Sequence, residues 1–152
     1  MIRIGIASDH RGYILKEQII DRLVDKYDIT DCGTTSNESV DYPDYAFKLG
    51  NLVADKDVDF GIAICGSGIG ISIACNKVKG VRCAKVDSIE EVIATRNDND
   101  SNIIAFGEKM SLDKALELIE KFITTPASQE EKHKRRREKI KEYEEEHQCM
   151  EK

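Results

Sequence analysis

The chain has 152 residues, 40% of them hydrophobic and 34% charged, which fits one globular domain and excludes a disordered or fibrous chain. Its formal net charge of −6 argues against broad nucleic-acid binding, although a local basic patch could still take a small anion. No apolar run approaches the roughly 20 residues that cross a bilayer, and Met1 to Ile6 lacks the layout of a signal peptide, so a cytoplasmic protein without a membrane partner is expected.

The elements alternate along the chain. Ile2, Ile4 and Ile6 mark a short strand, Ser8 to Gly12 a loop, and Leu15, Ile19, Ile20, Leu23 and Val24 recur at helical spacing. Tyr27 to Asp31 reads as a weak second strand. A polar loop runs from Gly33 to Asp44, where Pro43 is placed to open a helix carrying Tyr45, Leu49, Leu52 and Val53. Phe60 to Ile64 is a nearly continuous apolar strand, as expected when both faces are covered. Gly66 to Gly70 is a glycine loop, followed by a helix through about Lys77. Val81 to Lys85 is a fourth strand, and Ser88 with Glu91 forms a capping box for the next helix. Asn97 to Asn102 reads as a polar loop and Ile103 to Phe106 as a fifth strand. Ser111 caps a helix carrying Leu112, Ala115, Leu116, Leu118, Ile119 and Phe122.

Such alternation predicts a three-layer α/β/α architecture, a doubly wound, Rossmann-like, five-stranded parallel sheet with helices on both faces. Pro126 breaks the pattern. From Glu130 to Glu146 the chain is dominated by charge, with seven basic residues, Lys132 and Arg136 among them, against seven glutamates. This predicts an extra C-terminal charged helix, either a solvated, salt-bridged face or a basic stripe turned to an anionic ligand. The expected organisation is an α/β unit over 1–125, with 126–152 a helix and tail of the same domain.

Five cysteines and three histidines, with no Cys-x-x-Cys pair, predict neither a disulfide framework nor a metal site. Most of the cysteines should be small core residues. Cys65 differs, because it ends the third strand just before Gly66-Ser67-Gly68-Ile69-Gly70. In open parallel sheets ligands sit at the carboxyl ends of the strands. Glycines there let the backbone approach a ligand and point amides into a cup that favours negative charge. The spacing is neither Gly-x-Gly-x-x-Gly nor a Walker loop, so a nucleotide-binding module of flavodoxin-like shape is weakly supported. A thiol beside an amide cup can act as a nucleophile, or as a base that removes a proton next to a carbonyl while the cup holds the enediolate. Asp9 and His10 end the first strand at the same sheet edge, where the carboxylate could orient the imidazole.

Ser8-Asp9-His10-Arg11-Gly12, Asp41-Tyr42-Pro43, Ile64 to Ala74, Asn76-Lys77 and Asn99-Asp100-Ser101-Asn102 occur in this order. Together, over residues 1 to about 140, they resemble type B ribose-5-phosphate isomerase, a family that includes the galactose-6-phosphate isomerase subunits. The resemblance implies interconversion of an aldose phosphate and a ketose phosphate through an enediolate, without a metal or organic cofactor. It makes Cys65 the base between C1 and C2, and Gly66, Ser67, Gly68, Ile69 and Gly70 the loop holding the sugar oxygens. Asp9, His10 and Asn99 become substrate contacts. Lys109, Lys132 and Arg136 take the phosphate, with His133 a further phosphate contact. The resemblance also implies a homodimer, or a dimer of dimers, with shared sites. The sequence independently suggests this, since Asn97 to Asn102 lies between a helix and the following strand, at the opposite sheet edge from Cys65.

The chain departs from the family where a histidine usually helps open the sugar ring, because Arg96-Asn97-Asp98-Asn99 puts Asp98 there. An aspartate is ionised at neutral pH, so it accepts a proton readily and donates one poorly. Lysine replaces the usual arginine at 109 and 132, keeping the charge but losing the bidentate fork. Three readings stay open: ribose 5-phosphate isomerisation with His10 or Asp98 opening the ring, isomerisation of another sugar phosphate such as allose or galactose 6-phosphate, or binding of a phosphosugar without catalysis.

Overall fold

A computed structural model describes residues 1–149. Ten elements alternate and an eleventh, a second consecutive helix, follows: β1 Arg3–Ser8, α1 Tyr13–Leu23, β2 Asp28–Asp31, α2 Tyr42–Ala54, β3 Phe60–Cys65, α3 Ile69–Cys75, β4 Cys83–Lys85, α4 Ile89–Asn99, β5 Ile103–Gly107, α5 Leu112–Thr124 and α6 Glu131–Cys149. The five strands form one parallel sheet in the order β2-β1-β3-β5-β4. The expected α/β/α layering is therefore the observed one.

Side-chain alternation along the central strands sorts the core into two layers. Ile4, Ile6, Ile62, Ile64, Ile104 and Phe106 pack with Leu15 and Ile19 of α1, Val92 of α4 and Leu118 and Phe122 of α5. Ala7, Ala63, Cys65, Ile103 and Ala105 face Ala46, Leu49 and Val53 of α2 and Ile71 and Ala74 of α3. Big aliphatic residues line one face of the sheet and small ones dominate the other, so α2 and α3 seat close to the strands. Each helix lies where a right-handed crossover puts it. The winding of the sheet reverses between β1 and β3, since β1 leads outward to β2 on one side while β3 leads to β4 on the other. This is the crevice where ligands bind in such sheets.

Local chemistry sets the helix ends. Pro43 stands in the first turn of α2. Ser88 and Ser111 accept hydrogen bonds from the Glu91 and Lys114 amides. The expected capping box is shifted by one residue, because Glu91 reaches the Asp87 amide, 2.7 Å away. Several boundaries also move. Helix α3 ends at Cys75 rather than Lys77, and β4 begins at Cys83 rather than Val81. Asn97 to Asn99 are not loop but the last turn of α4. Asp100 then terminates the helix in the left-handed region, φ 50°, its carboxylate held by Arg96 at 2.8 Å.

The edge strand β2 is mostly exposed. Its anchor is Lys16 of α1, whose fully buried side chain places Nζ 2.8 Å from both Asp31 and Glu17. Asp31 also accepts from the Gly33 amide, tying the loop after β2 to the sheet. Helix α6 is docked on the C-terminal end of α4. The Ser128 amide donates to the Asn97 carbonyl, and Arg137 donates to the carbonyls of Asp98 and Ser128. Its outer residues Ile140 and Tyr143 are exposed.

Candidate active site

Cys65 closes β3 with its side chain turned toward α2 and α3, and it is buried. Its Sγ accepts the Gly68 amide hydrogen at 3.2 Å. That bond exists because the loop doubles back through Gly68, whose φ of +82° suits glycine. A Cβ at Gly68 would lie 2.7 Å from the Phe106 backbone, so conformation and space exclude any other residue. Ser67 caps α3 by accepting from the Ile69 amide at 3.1 Å. The exposed Ser67 and Ile69 face outward from this turn.

The loop after β1 lies beside it. The Asp9 amide donates to the Ile64 carbonyl, and Gly12 packs against Ile64 so closely that a Cβ would sit 2.8 Å from its oxygen. Asp9 is buried, but its carboxylate does not orient His10 as the sequence suggested. It accepts from the amides of Arg11 and Gly12 at 3.0 and 3.1 Å, holding the turn into α1. His10 is oriented instead by the Val40 amide, which donates to Nδ1 at 3.2 Å. This leaves its Nε2 as the outer nitrogen of the half-buried ring. A local Asp-His pair can satisfy nearby backbone donors more cheaply than it can pair with itself.

Roles for three neighbours escaped sequence reasoning. Arg11 spans the glycine loop at Gly66 and makes a forked ion pair with Glu108, at 3.0 and 3.3 Å. Glu108 immediately follows β5, so its place at the carboxyl edge was the available signal, but its partner lies 97 residues away. Lys114 joins Lys109 beside Gly66 and Ser67 in a shallow cleft.

The thiols are not equivalent. Burial pushes Cys32 up to about 11. The adjacent Cys75 and burial push Cys83 upward as well. Both therefore stay protonated at neutral pH, whereas Cys65 ends β3 with the Gly68 amide donating to its sulfur. Among the described residues no group of His, Cys, Asp and Glu is arranged to hold a metal ion, and no helix is long and apolar enough to cross a membrane.

The remaining sequence candidates lie elsewhere. Asp98 and Asn99 end α4, which runs back along the sheet to the amino ends of the strands. There Arg82 donates to the Asn99 carbonyl and the Gly61 amide to the Asn102 carbonyl. Lys132, His133 and Arg136 belong to the first turns of α6 on that same end, and their spacing puts them on one face. His133 Nε2 lies 3.5 Å from Asp98 Oδ1. Thus Asp9, His10, Cys65, Gly66 to Gly70 and Lys109 share one edge. Asp98, Asn99, Lys132, His133 and Arg136 share the other. Five rises of about 3.3 Å along β3 separate them by at least roughly 16 Å.

Sheet order and the thiol-bearing turn at the crevice define a doubly wound α/β protein with a buried cysteine and a glycine turn at its switch point. The sequence profile of the Ribose/Galactose Isomerase family matches residues 4–140, and the chain belongs to that family of sugar-phosphate isomerases. It is 42% identical over 111 residues to Escherichia coli ribose-5-phosphate isomerase B, covering 72% of this chain and 74% of the relative. The structure of Clostridium thermocellum ribose-5-phosphate isomerase B superimposes with a TM-score of 0.91 at 43% identity, covering 96% of this chain and 99% of that one. Ribose-5-phosphate isomerase B from Mycoplasma genitalium, solved with bound ribulose-5-phosphate, is 34% identical with a TM-score of 0.87, covering 95% and 97%.

Proposed function

We propose that the protein interconverts ribose 5-phosphate and ribulose 5-phosphate through an enediolate, with Cys65 as the base that carries a proton between C1 and C2. One observation carries this reading: Cys65 Sγ sits at the switch-point crevice and already accepts an amide hydrogen from Gly68. That bond fixes the sulfur at the crevice, beside the turn. With the Gly68 and Ile69 amides engaged by Cys65 and Ser67, those of Ser67 and Gly70 are left for the oxygens that become negative as the proton leaves. His10, held by Val40, offers its outer nitrogen to a sugar hydroxyl, and Asp9 keeps that loop in place. The proton removed from C2 of the aldose returns to C1, and the O2 hydroxyl proton is lost as O1 gains one, so C2=O2 forms where C1=O1 was. The reaction is redox-neutral overall.

Phosphate is assigned to Lys109, Lys132 and Arg136. One chain holds Lys109 near Cys65 and the other two cations at the far edge, so a complete site needs a second copy. Two features support a homodimer. Ile69 and Ile73 of α3 are 54% and 57% exposed beside the site, with Tyr42 and Phe47 of α2 also uncovered. The cationic first turns of α6 meet no carboxylate of the core apart from Asp98 among the described ion pairs. Asp98 and Asn99 of one subunit then complete the Cys65 site of the other.

Incubation with ribose 5-phosphate in D₂O, followed by NMR, tests the reading. Ketose should form with deuterium at C1, and Cys65→Ala should abolish both signals while a sugar-phosphate inhibitor still binds. Wild-type protein that gives neither signal would turn the assignment to another sugar phosphate. Equal exchange by the variant would remove the thiolate base.

A further inference from the structure

Asp98 stands where the family's usual ring-opening histidine is missing, and its surroundings are built. Its Oδ1 accepts from the Asn97 side-chain amide at 2.8 Å and faces His133 Nε2 at 3.5 Å. Oδ2 receives neither, and the carboxylate is half-exposed. Behind it the His133 side chain is only 13% exposed. Its Nδ1 is fully buried with no partner among the described residues. An imidazole with an acceptor near one nitrogen only keeps its proton on that side, so Nε2 is the nitrogen that faces Asp98, at ion-pair distance. Arg137 adds a second tie, donating to the Asp98 backbone carbonyl.

We propose that His133 is a positioning residue for Asp98 rather than a phosphate contact: with Asn97 it holds Oδ1 so that Oδ2 is the atom that opens the sugar ring. This rests on the isomerase reading above. Oδ2 takes the proton of the anomeric hydroxyl as the C1–O4 bond breaks and C1=O forms. The same proton is delivered to O4, so nothing is oxidised or reduced. A carboxylate passing one proton from oxygen to oxygen needs no resident donor. That removes the objection that an ionised aspartate donates poorly.

The two sugars separate this role from the alternatives. Ribose 5-phosphate is a furanose and must be opened. Ribulose 5-phosphate has its carbonyl at C2 and its only ring-closing oxygen, O5, phosphorylated, so it is acyclic. We therefore expect His133→Ala to lower kcat for ribose 5-phosphate roughly tenfold, while exchange of the C1 hydrogen of ribulose 5-phosphate in D₂O stays within about twofold of wild type. Glutamine carries an N–H at the reach of Nε2, so His133→Gln should recover most of the loss. Asp98→Asn should show the same split, more strongly. Parallel losses for both sugars, or a raised KM for both, would make His133 a phosphate holder and overturn the proposal. So would unchanged kinetics in His133→Ala, or a split that His133→Gln does not relieve. Wild-type protein that fails to exchange the C1 hydrogen of ribulose 5-phosphate would instead refute the isomerase reading itself.

Discussion

Subunit complementation is the sharpest test of where the site lies. One preparation carries Cys65→Ala. The other carries Lys132→Ala with Arg136→Ala. Each alone should be nearly inactive, the first for want of the base and the second for want of two phosphate cations. Along β3 alone the two sets of groups are roughly 16 Å apart, beyond the reach of a five-carbon sugar phosphate. The proposed site therefore takes Cys65 from one chain and the α6 cations from the other. Co-refolding equal amounts gives about half heterodimers by random pairing. In each heterodimer one site collects every mutation and the other collects none. Mixed protein should then show about one quarter of wild-type turnover per dimer, measured as ketose formation, while unmixed controls stay near background. Activity that stays at background after verified subunit exchange would mean that each chain builds its own site, and the placement of Lys132 and Arg136 would be refuted.

Other outcomes follow from single contacts. Gly68→Ala forces a side chain into φ +82° and to 2.7 Å from the Phe106 backbone. A loss of about 1–3 kcal/mol in denaturant unfolding is expected, together with collapse of activity as the amide leaves Cys65 Sγ. A variant that melts and turns over like wild type would refute the strain argument. Lys16→Ala leaves Asp31 without its buried partner. Because both carboxylates are about half-exposed, the expected cost is about 1–2 kcal/mol rather than that of a fully buried pair, and an unchanged urea midpoint would contradict it. In a Cys149→Ser background at pH 8, Cys32 at about 11 should be roughly one part in a thousand thiolate. Its folded value is raised, so alkylation should speed up only as pH climbs toward 11. Mass spectrometry that finds Cys32 modified before Cys65 at pH 8 would reverse the assignment of the reactive thiol.

Much of this molecule was legible in the chain itself. Ile4 and Ile6, the apolar run from Phe60 to Ile64, and the spacing of Leu15, Ile19 and Leu23 each report local periodicity, so elements and layers followed. Cys65 and its glycines lie within a few residues of one another, and a strand-to-helix turn can only place them at the strand's carboxyl end. Boundaries were less legible where tertiary contacts overrode local preference. Asn97 to Asn99 read as loop residues, yet the helix continues through them because Arg96 and the Ser128 amide hold its last turn.

Whatever depends on pairs distant in sequence was decided by the fold. The order β2-β1-β3-β5-β4, the Arg11–Glu108 clamp over the glycine loop and the contact of His133 with Asp98 join segments from 35 to 97 residues apart or leave no periodic trace. Even the adjacent Asp9 and His10 were decided this way, since the backbone amides of Arg11, Gly12 and Val40 claim them separately. Periodicity encodes which side of an element meets the core. It does not encode which other element arrives there, because that depends on summed packing over the whole sheet. For the same reason the sequence by itself placed Cys65 beside its glycine turn, and only the tertiary structure divided the candidate residues between two ends of the sheet.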